Sequence, residues 1–421
     1  MSSPKERLDA IVEQGLCIGC GLCQAIAGPE VVSVEKVASG YERPVVLGRL
    51  THETVDVIYD VCPGTRMEGL PGQLLEPSTS VDPVWGPWRR ITRAWAGDPN
   101  VRFEGSTGGV LTALGQFLLT SGRVSFVLHA TASTTNPSFG ERTISFTHAQ
   151  VLDAAGSRYG PTATLIDVDE VLDRGEPFAV IAKPCDVTAL RNYARHDNRV
   201  DELVKYWLTM VCGGFATPDF TNRFLETNGI DPSTLTSLRY RGRGCPGPTV
   251  AEAPDQRVER HYLDYWGDDE TQWSLPWRCK ICPDGIGEAS DLAVSDTWPG
   301  GSPDRVESEI DPGVNAIIAR TVAGQELMEA AEREGVLVFD GDLTPEVMNE
   351  LQPHQRNKKL AVGARHAAIG DAGRIVPATA RLRVEELSAT VPVEINRRQR
   401  EGTLQRIDVG KASEAPPERI R

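Results

Sequence analysis

Residues 178–193 read FAVIAKPCDVTALRNY and join an apolar run to a run with helical spacing. Phe178–Ala182 has the composition of a short buried strand, which breaks at Lys183-Pro184-Cys185. Val187–Tyr193 continues as a helix, so the stretch predicts a strand followed by a helix. Ligands collect at strand ends of this kind in α/β sheets. Cys185 is therefore a candidate for the chemistry of a site.

The same alternation of strand-like and helix-like runs extends in both directions along the chain. Apolar residues recur at helical spacing in 110–118, 323–335 and 343–363, and strand-like runs occupy 124–130, 206–211 and 292–294. The stretch 76–90 is rich in Ser, Pro and Trp and is typical of a linker. The pattern predicts an α/β (α+β) core behind a smaller N-terminal unit. Roughly the last 40 residues carry mixed charges and little apolar periodicity, so they predict an exposed or disordered arm.

Composition and charge exclude several functional classes. The 421 residues are 40% hydrophobic, as in a globular protein of two or three domains. A formal net charge of −15 disfavours the phosphate-neutralising surface that nucleic-acid binding needs. No apolar run approaches the ~20 residues of a membrane span, and the start MSSPKERLDA lacks the apolar core of a signal peptide. We expect a cytoplasmic protein, in which the nine cysteines serve metal binding better than disulfides.

The N-terminal unit carries Cys17-Ile-Gly-Cys20-Gly-Leu-Cys23, with Cys62-Pro-Gly further along. Three thiolates at this spacing can wrap three irons of a cubane, and a remote Cys-Pro can supply the fourth ligand. Ala27 stands where a two-cluster ferredoxin has a further cysteine, so one cluster is expected. The alternative is a zinc site, which more often uses paired C-x-x-C elements.

A second, dispersed set of cysteines lies in the predicted core, namely Cys185, Cys212, Cys279 and Cys282. Four thiols are the right number for one more cubane. Cys245 is left over and is a rival for any of these positions. Free buried cysteines are common core residues, and a lone C-x-x-C also serves zinc ribbons and redox dithiols, so the residues alone leave this set open.

The segment EGSTGGV at 104–110 precedes an apolar helix and is a candidate site for a flavin pyrophosphate. Its glycines allow close approach, its hydroxyls can donate, and a helix N-terminus favours an anion. An ordinary helix start gives the same pattern. The chain contains no Walker motif and no strand-linked G-x-G-x-x-G.

Three other polar positions have both a functional and a structural interpretation. Arg158 could contact phosphate and Tyr159 a flavin ring, although a surface turn with a packed Tyr fits equally. Lys183 could stabilise a reduced flavin or could be a solvated loop residue. Asp291 and Asp296 flank a short strand as caps or as site residues, and the seven histidines show no ligand spacing.

Taken together, CIGCGLC, EGSTGGVLTAL, GSRYGPT, IAKPCDVTALR, RCKICPDG and PHQRNKK resemble one family in their joint order over roughly residues 15 to 360. The family is that of the beta subunits of coenzyme F-420 hydrogenases and dehydrogenases. It includes the related 7-hydroxymethyl chlorophyll a reductases and ferredoxin-dependent divinyl chlorophyllide vinyl reductases. The N-terminal ferredoxin-like unit makes this chain more similar to the reductase branch.

The resemblance implies FAD and two [4Fe–4S] clusters. By position it implies cluster ligands at Cys17, Cys20, Cys23 and Cys62 and at Cys185, Cys212, Cys279 and Cys282. It implies FAD contacts at Ser106, Thr107, Gly108, Gly109, Arg158, Tyr159 and Lys183. Cys245 stands where relatives often have Trp, so it is treated as a departure and not as a ligand. The acidic continuation CPDG after Cys282 also differs from the hydrogenase subunits and counts against use of coenzyme F-420.

The resulting prediction is an α/β (α+β) flavoprotein core with an N-terminal ferredoxin-like iron–sulfur domain. The predicted domains are 1–78 for the ferredoxin-like unit, 79–365 for the FAD and [4Fe–4S] catalytic domain, and 366–421 for a C-terminal arm that is partly exposed or disordered. The predicted function is an oxidoreductase that passes single electrons from a donor such as ferredoxin to FAD for reduction of a small organic substrate. The alternatives are an electron-input subunit that exchanges hydride with coenzyme F-420 or a nicotinamide for a partner enzyme, and a zinc-stapled scaffold without redox function.

Overall fold

The computed structural model describes residues 2–267, 269 and 272–419. The strands are β1 (Val32–Lys36), β2 (Glu42–Val46), β3 (Arg66–Glu68), β4 (Ser80–Asp82), β5 (Gly86–Trp88), β6 (Arg90–Ala96), β7 (Phe126–Ala132), β8 (Gly140–Ser145), β9 (Phe178–Ala182), β10 (Val204–Met210), β11 (Ser237–Arg239), β12 (Thr249–Ala253), β13 (Gln256–Arg260), β14 (Leu292–Asp296), β15 (Asn315–Ala319), β16 (Leu337–Asp342) and β17 (Ala378–Ala380). The α-helices are α1 (Pro4–Glu13), α2 (Leu22–Ala27), α3 (His52–Val61), α4 (Pro99–Glu104), α5 (Val110–Thr120), α6 (His148–Asp153), α7 (Val168–Leu172), α8 (Pro184–Tyr193), α9 (Arg199–Leu203), α10 (Pro218–Thr227), α11 (Tyr262–Trp266), α12 (Trp277–Lys280), α13 (Val322–Arg333), α14 (Pro345–Leu351), α15 (Pro353–Asp371), α16 (Val384–Thr390) and α17 (Val393–Asp408).

The largest sheet has eight strands in the order β16-β6-β15-β14-β10-β9-β7-β8. Its central strands β7, β9, β10 and β14 are parallel to one another. The outer strands pair antiparallel on both sides of this block. The central strands are almost continuously apolar, as expected where helices cover both faces of a sheet. This mixed α/β architecture confirms the α/β class of the predicted fold.

Alternate residues of the central strands point into two separate apolar layers. Phe178 and Val180 of β9 pack with Val187 and Leu190 of α8 on one face. On the other face, Ala179 belongs to a layer formed mainly by α5 and α13, including Leu114, Phe117, Leu118, Leu327 and Met328. Because side chains alternate along a strand, the short run FAVIA supplies both layers.

The N-terminal unit packs directly on later parts of the chain. Residues of α1 and α3 share an apolar cluster with Trp277, Ile281, Ile369 and Ala412. Ile18, Cys20 and other residues near α2 belong to the layer under β9. The unit around the first four cysteines therefore draws much of its apolar contact from residues beyond 78.

The stretch 76–90 differs from the predicted linker. It forms the antiparallel pair β4–β5, and Trp85 between these strands is fully buried. The Trp85 indole N–H donates to Asn349 Oδ1 at 3.0 Å, and Arg320 donates to the Trp85 carbonyl at 2.7 Å. Ser and Pro indicated the turns correctly, but the partners of Trp85 lie more than two hundred residues away.

The C-terminal part also differs from the predicted arm. Helix α15 runs through the predicted boundary between 365 and 366, and the predicted helix at 343–363 is two helices, α14 and α15. Helices α16 and α17 follow, and Ala412 is fully buried. Arg43 Nε contacts Glu414 Oε2 at 2.7 Å, with only 1% of the Arg43 side chain exposed. Helix α17 buries little beyond Thr403, which explains its weak apolar periodicity.

Within the described ranges, no helix combines the length and the hydropathy that a membrane crossing requires.

Candidate functional site

Four cysteines of the N-terminal unit line one cavity and are called here the N-terminal cysteine set. Cys17 and Cys20 precede α2, Cys23 lies in its first turn, and Cys62 caps the end of α3. The cavity has a volume of about 30 Å³, and apolar side chains such as Ile18, Leu22, Ile58 and Val61 complete its wall. The four cysteines that the sequence spacing predicted as one site therefore line the same apolar cavity.

Glycines shape the two loops of this set. The Gly19 N–H donates to Cys17 Sγ and the Gly64 N–H to Cys62 Sγ, both at 3.4 Å. Gly21 has φ +93°, and a Cβ there would lie 2.5 Å from the backbone nitrogen of Ile166. Backbone N–H donors to sulfur commonly tune the reduction potential of iron–sulfur clusters, and two such donors are present here.

Burial dominates the acidity of these thiols. Desolvation raises the pKa of Cys17 and Cys20, and it raises the pKa of Cys62 to about 11, with the neighbouring Cys17 adding to the rise at Cys62. Thiolates in such an apolar space need compensating positive charge, which metal ions bound by the sulfurs would supply.

The other four predicted ligands form the core cysteine set. Cys185 lies in the first turn of α8 directly after β9, and Cys212 follows the neighbouring parallel strand β10. Cys279 lies in α12, and Cys282 lies two residues beyond the C-terminal end of that helix. The pKa of Cys279 is raised to about 12 by burial, then by the neighbouring Cys212 and Cys282. The pKa of Cys185 is raised by burial first, and Cys212 and Cys282 contribute there as well. Cys212 and Cys282 therefore lie near both Cys185 and Cys279.

The donor chemistry of both sets fits iron–sulfur clusters. Each set offers four thiols of soft ligand character with largely apolar surroundings. As they stand, the described residues contain no group of three or more His, Cys, Asp or Glu side chains placed to hold a metal ion. The fit rests on the donor set and on its surroundings.

Cys245 lies apart from both sets. It is 1% exposed and belongs to an apolar cluster with Tyr240, Tyr262 and Trp266. Burial raises its pKa to about 12, and its charged neighbours are Arg241, Asp296 and Asp311. Its position agrees with the treatment of this residue as a departure from the ligand pattern.

A large pocket of about 310 Å³ opens beside the core cysteine set. It lies at the carboxyl ends of β9, β10 and β14, where ligands are expected in a parallel sheet. Its lining includes Ser106, Thr107, Gly109, Arg158, Tyr159 and Lys183, which are six of the seven residues predicted to contact FAD. Gly108 is not among the lining residues, and a Cβ there would lie 2.8 Å from Asn315 Oδ1. Gly108 therefore serves close packing against β15.

The two segments predicted to hold FAD touch each other at the pocket. Ser106 Oγ accepts a hydrogen bond from the Ser157 N–H at 2.7 Å, which ties the glycine-rich loop to the turn at 156–160. Gly109, with φ +72°, caps the 11-residue helix α5. The N-terminus of α5 therefore faces the pocket and favours an anionic group there.

Lys183 lies between the pocket and both cysteine sets. Its Nζ contacts Asp186 Oδ2 at 2.7 Å and donates to the Thr162 carbonyl at 3.0 Å. Burial opposes its charge, but Asp186, Cys185 and Cys20 together raise the pKa of Lys183. It is a largely buried, paired cation, with 18% of its side chain exposed, and not the solvated loop residue that was the alternative interpretation.

A second buried ion pair lies at the pocket, and the sequence patterns did not predict it as a site feature. Arg241 NH1 contacts Asp296 Oδ2 at 2.9 Å, and Arg241 NH2 donates to Thr107 Oγ1 at 2.5 Å. The guanidinium also lies 4.8 Å from the ring centroid of Trp298. Burial disfavours the charge, but Asp296 outweighs it and raises the pKa of Arg241. The available signals were the motif YRGRG and the acidic end of β14.

Aromatic side chains form the wall opposite the sheet, and unpaired donors are found among them. The wall consists of Tyr159, Tyr262, Trp266, Trp273 and Trp298. The indole N–H groups of Trp266 and Trp273 are buried without a hydrogen-bond partner, as is Nε of Arg158. Buried donors are normally satisfied, so these are available to a ligand. A large, partly polar, planar cofactor such as FAD fits this pocket.

Two histidines to which the sequence assigned no role also line the pocket. Burial lowers the pKa of His129 to about 4, and its Nε2 lies 2.7 Å from Ser145 Oγ. Burial, aided by Lys358, lowers the pKa of His354 to about 4. Both rings are therefore neutral near neutral pH.

Comparison with known families gives two adjoining matches. Residues 91–168 match the family model for the N-terminal part of the coenzyme F-420 hydrogenase/dehydrogenase beta subunit. Residues 175–341 match the family model for the C terminus of the same beta subunit. The matched ranges contain most of the residues that line the large pocket and the whole core cysteine set, but not the N-terminal cysteine set.

One curated relative and one solved structure are similar over most of the chain. The coenzyme F-420-dependent sulfite reductase of Methanocaldococcus jannaschii is 23% identical over 346 aligned residues, and the alignment covers 78% of this chain and 48% of that protein. The chain thus spans about half the length of this relative. A chain of the F-420-reducing [NiFe] hydrogenase complex from Methanosarcina barkeri superposes with a TM-score of 0.53 at 17% identity, covering 68% of this chain and 95% of that one. This superposition shows a shared fold.

Proposed function

Because this chain belongs to the coenzyme F-420 hydrogenase/dehydrogenase beta subunit family, we propose that it is an iron–sulfur flavoprotein oxidoreductase. In this proposal single electrons enter from a donor such as ferredoxin, cross two [4Fe–4S] clusters and reach FAD for the reduction of a small organic substrate. Bound FAD would supply the exchange between one-electron and two-electron chemistry.

One observation carries the proposal: Cys212 belongs to the core cysteine set and also lines the large pocket. A cluster held by this set would border directly on a cofactor held in the pocket. Cys20 of the N-terminal set and Cys185 of the core set both act on the charge of Lys183. Cys20, Cys279 and Cys185 also pack in one apolar cluster, so the two sets lie close together, as a short electron path requires.

The residues of the chain have distinct tasks in this proposal. The N-terminus of α5 and the Ser106 hydroxyl bind the pyrophosphate, and the aromatic wall orients the ring system and excludes water. Lys183 keeps a fixed positive charge beside the pocket, which favours an anionic reduced cofactor. Arg241 and Asp296 hold Thr107 in position through two hydrogen bonds.

Anaerobic purification followed by metal and flavin analysis tests the proposal. We expect about eight irons per chain, a broad absorption band near ~400 nm and one FAD, with bleaching on addition of dithionite or reduced ferredoxin. Stoichiometric zinc without flavin would support the scaffold alternative and contradict the proposal.

The names of the relatives favour a second candidate function. Both are described as F-420-dependent or F-420-reducing, and one is part of a complex. The chain would then exchange hydride with coenzyme F-420 or a nicotinamide and feed a partner enzyme. Mixing the purified protein with reduced F-420 or NADH separates the two: bleaching by these hydride donors, with no substrate turnover until a second polypeptide is added, would favour the input subunit.

A further inference from the structure

Four positively charged side chains meet at the segment that carries Cys279 and Cys282, and they are called here the basic patch: Lys280, Arg365, Arg406 and Lys411. Arg365 NH1 donates to the Lys280 carbonyl, and its Nε donates to Gln399 Oε1 of α17 at 3.0 Å. Arg406 lies two turns further along α17, and the Lys411 N–H donates to the Arg406 carbonyl at 2.9 Å. The patch therefore joins α12, α15, α17 and the chain that follows α17.

Within the described part of the chain, no member of the basic patch forms an ion pair with a carboxylate. Other arginines of α17 do so, because Arg397 and Arg398 pair with Glu394 and Arg400 pairs with Asp371. Burial, aided by the charge of Arg406, lowers the pKa of Arg365 to about 10. Arg406 and Lys411 are exposed to solvent. The patch is a local region of uncompensated positive charge on a chain of net charge −15.

The patch lies beside both cysteine sets. Lys280 is the residue after Cys279. Trp277 at the start of the same helix shares an apolar cluster with Cys17 and Ala412, and Ala412 follows Lys411 directly. The surface that carries the patch is therefore a short route from solvent to either set.

We propose that the basic patch is the docking surface for an acidic one-electron carrier protein. The inference rests on the proposed function, because it names the place where the donor binds. An acidic protein is repelled by the overall negative charge of this chain, so a local positive region beside the cysteine sets orients its approach. One electron leaves the reduced carrier and enters the chain, with no bond or proton exchanged. A nucleic acid is disfavoured because four cations on an acidic protein neutralise few phosphates.

Charge reversal with a matched control tests the docking surface. The double variant Arg406→Glu/Lys411→Glu changes the net charge by four units and touches no cysteine. The control Arg223→Glu/Arg333→Glu makes the same change at two exposed arginines of α10 and α13, away from the patch. The dissociation constant of an oxidised, acidic bacterial-type ferredoxin is measured by calorimetry with the cofactor-loaded protein at low and moderate salt. Weakening of about tenfold in the patch variant, within twofold in the control, is expected.

A neutral variant and a kinetic measurement complete the test. Arg406→Gln/Lys411→Gln is expected to weaken binding by an intermediate factor, which a misfolded protein would not show. The rate of reduction by ferredoxin is expected to fall in the patch variant, while the rate with dithionite is unchanged. Equal weakening in the control and the patch variant, or none in either, would overturn the proposal. So would binding of the patch to vesicles of anionic phospholipid while the affinity for ferredoxin stayed constant. If dithionite reduces no cluster even in the wild-type protein, the proposed function fails and the binding result still decides the surface.

Discussion

Gly21 illustrates how one residue can be required by both its conformation and its surroundings. Its φ of +93° is unfavourable for any residue with a Cβ, and the atoms that a Cβ would meet belong to the backbone of Ile166. Neither a rotamer change nor a side-chain movement can relieve that contact. The glycine in CIGCGLC is thus explained by the approach of residue 166 and not only by the curl around a cluster.

We predict that Gly21→Ala lowers the free energy of unfolding by about 3 kcal/mol, from left-handed strain and overpacking together, and that it reduces iron content. Gly122→Ala is the matched control, because Gly122 has φ +65° and a Cβ placed on it would meet no atom within 4 Å. Its cost should be about 1 kcal/mol. Denaturant unfolding of both variants and iron analysis provide the measurement, and equal losses would contradict the role of Ile166.

Asp296 holds two other side chains of the pocket in place. It accepts hydrogen bonds from Thr107 and Arg241, and Arg241 is 3% exposed. Removal of its charge leaves the guanidinium uncompensated at the pocket.

Asp296→Asn should therefore lower the free energy of unfolding by about 2 kcal/mol, less than a fully buried pair because 27% of the Asp296 side chain is exposed. It should also weaken FAD retention, since the asparagine has one accepting oxygen where the carboxylate offers one to Thr107 and one to Arg241. Asp342→Asn removes a surface partner of Arg90 and should cost less than about 0.5 kcal/mol. Thermal unfolding and the flavin to protein ratio test both variants; full flavin retention in Asp296→Asn would count against this role.

At the scale of elements, adjacent parallel strands bring the core cysteine set together. Strands β9 and β10 pair with Ile181 opposite Leu208, so Cys185 and Cys212 emerge at the same edge of the sheet. The other two cysteines of this set come from α12 and the residues after it. The N-terminal set is built from different elements, namely the loop before α2 and the end of α3.

Because the two sets use separate elements, we expect that a substitution in one set removes its iron and leaves the iron of the other set in place. Cys20→Ser and Cys279→Ser should each reduce iron by about four per chain, and Cys245→Ser should leave iron unchanged. Iron analysis and electron paramagnetic resonance of the reduced proteins distinguish the two remaining signals. Loss of iron in Cys245→Ser would show that Cys245 is a ligand.

At the scale of the whole molecule, buried neutral histidines couple folding to pH. Burial lowers the pKa of His129, His354 and His366 from 6.5 to about 4. Between these values the unfolded chain binds more protons than the folded one, so stability is fully present above pH 6.5 and is lost as the pH falls toward 4.

We expect the free energy of unfolding to fall from about pH 7 to about pH 5, with a slope of up to ~1.4 kcal/mol per pH unit for each histidine. Denaturant unfolding at several pH values measures this slope. His129→Gln should reduce the slope by the contribution of one histidine, because the other two buried histidines remain in place. A slope unchanged by that variant would contradict the assignment to His129.

The integration of the whole chain also changes the view of its organisation. Residues 1–78 share apolar clusters with Trp277, Ile369 and Ala412, and the C-terminal segment returns to pair Glu414 with Arg43. The predicted domain division describes the order of motifs along the chain, whereas the packing joins its beginning and its end.

The sequence by itself determined the features that depend on neighbours in the chain. The spacing of CIGCGLC, the apolar run FAVIA and the glycines before α5 are local patterns, because ligand spacing, strand periodicity and helix capping act over a few residues. They predicted strand β9, helix α5 and the glycine-rich loop that borders the pocket, whereas the full set of pocket residues came from the family resemblance.

Only the tertiary structure decided the features that join distant residues. Arg241 and Asp296 are 55 residues apart, and Arg43 and Glu414 are 371 apart. The aromatic wall and the basic patch likewise combine elements that no local periodicity links. The role of a buried charge or an unpaired donor depends on the group that faces it. Which groups face each other is decided when the layers of the fold pack together.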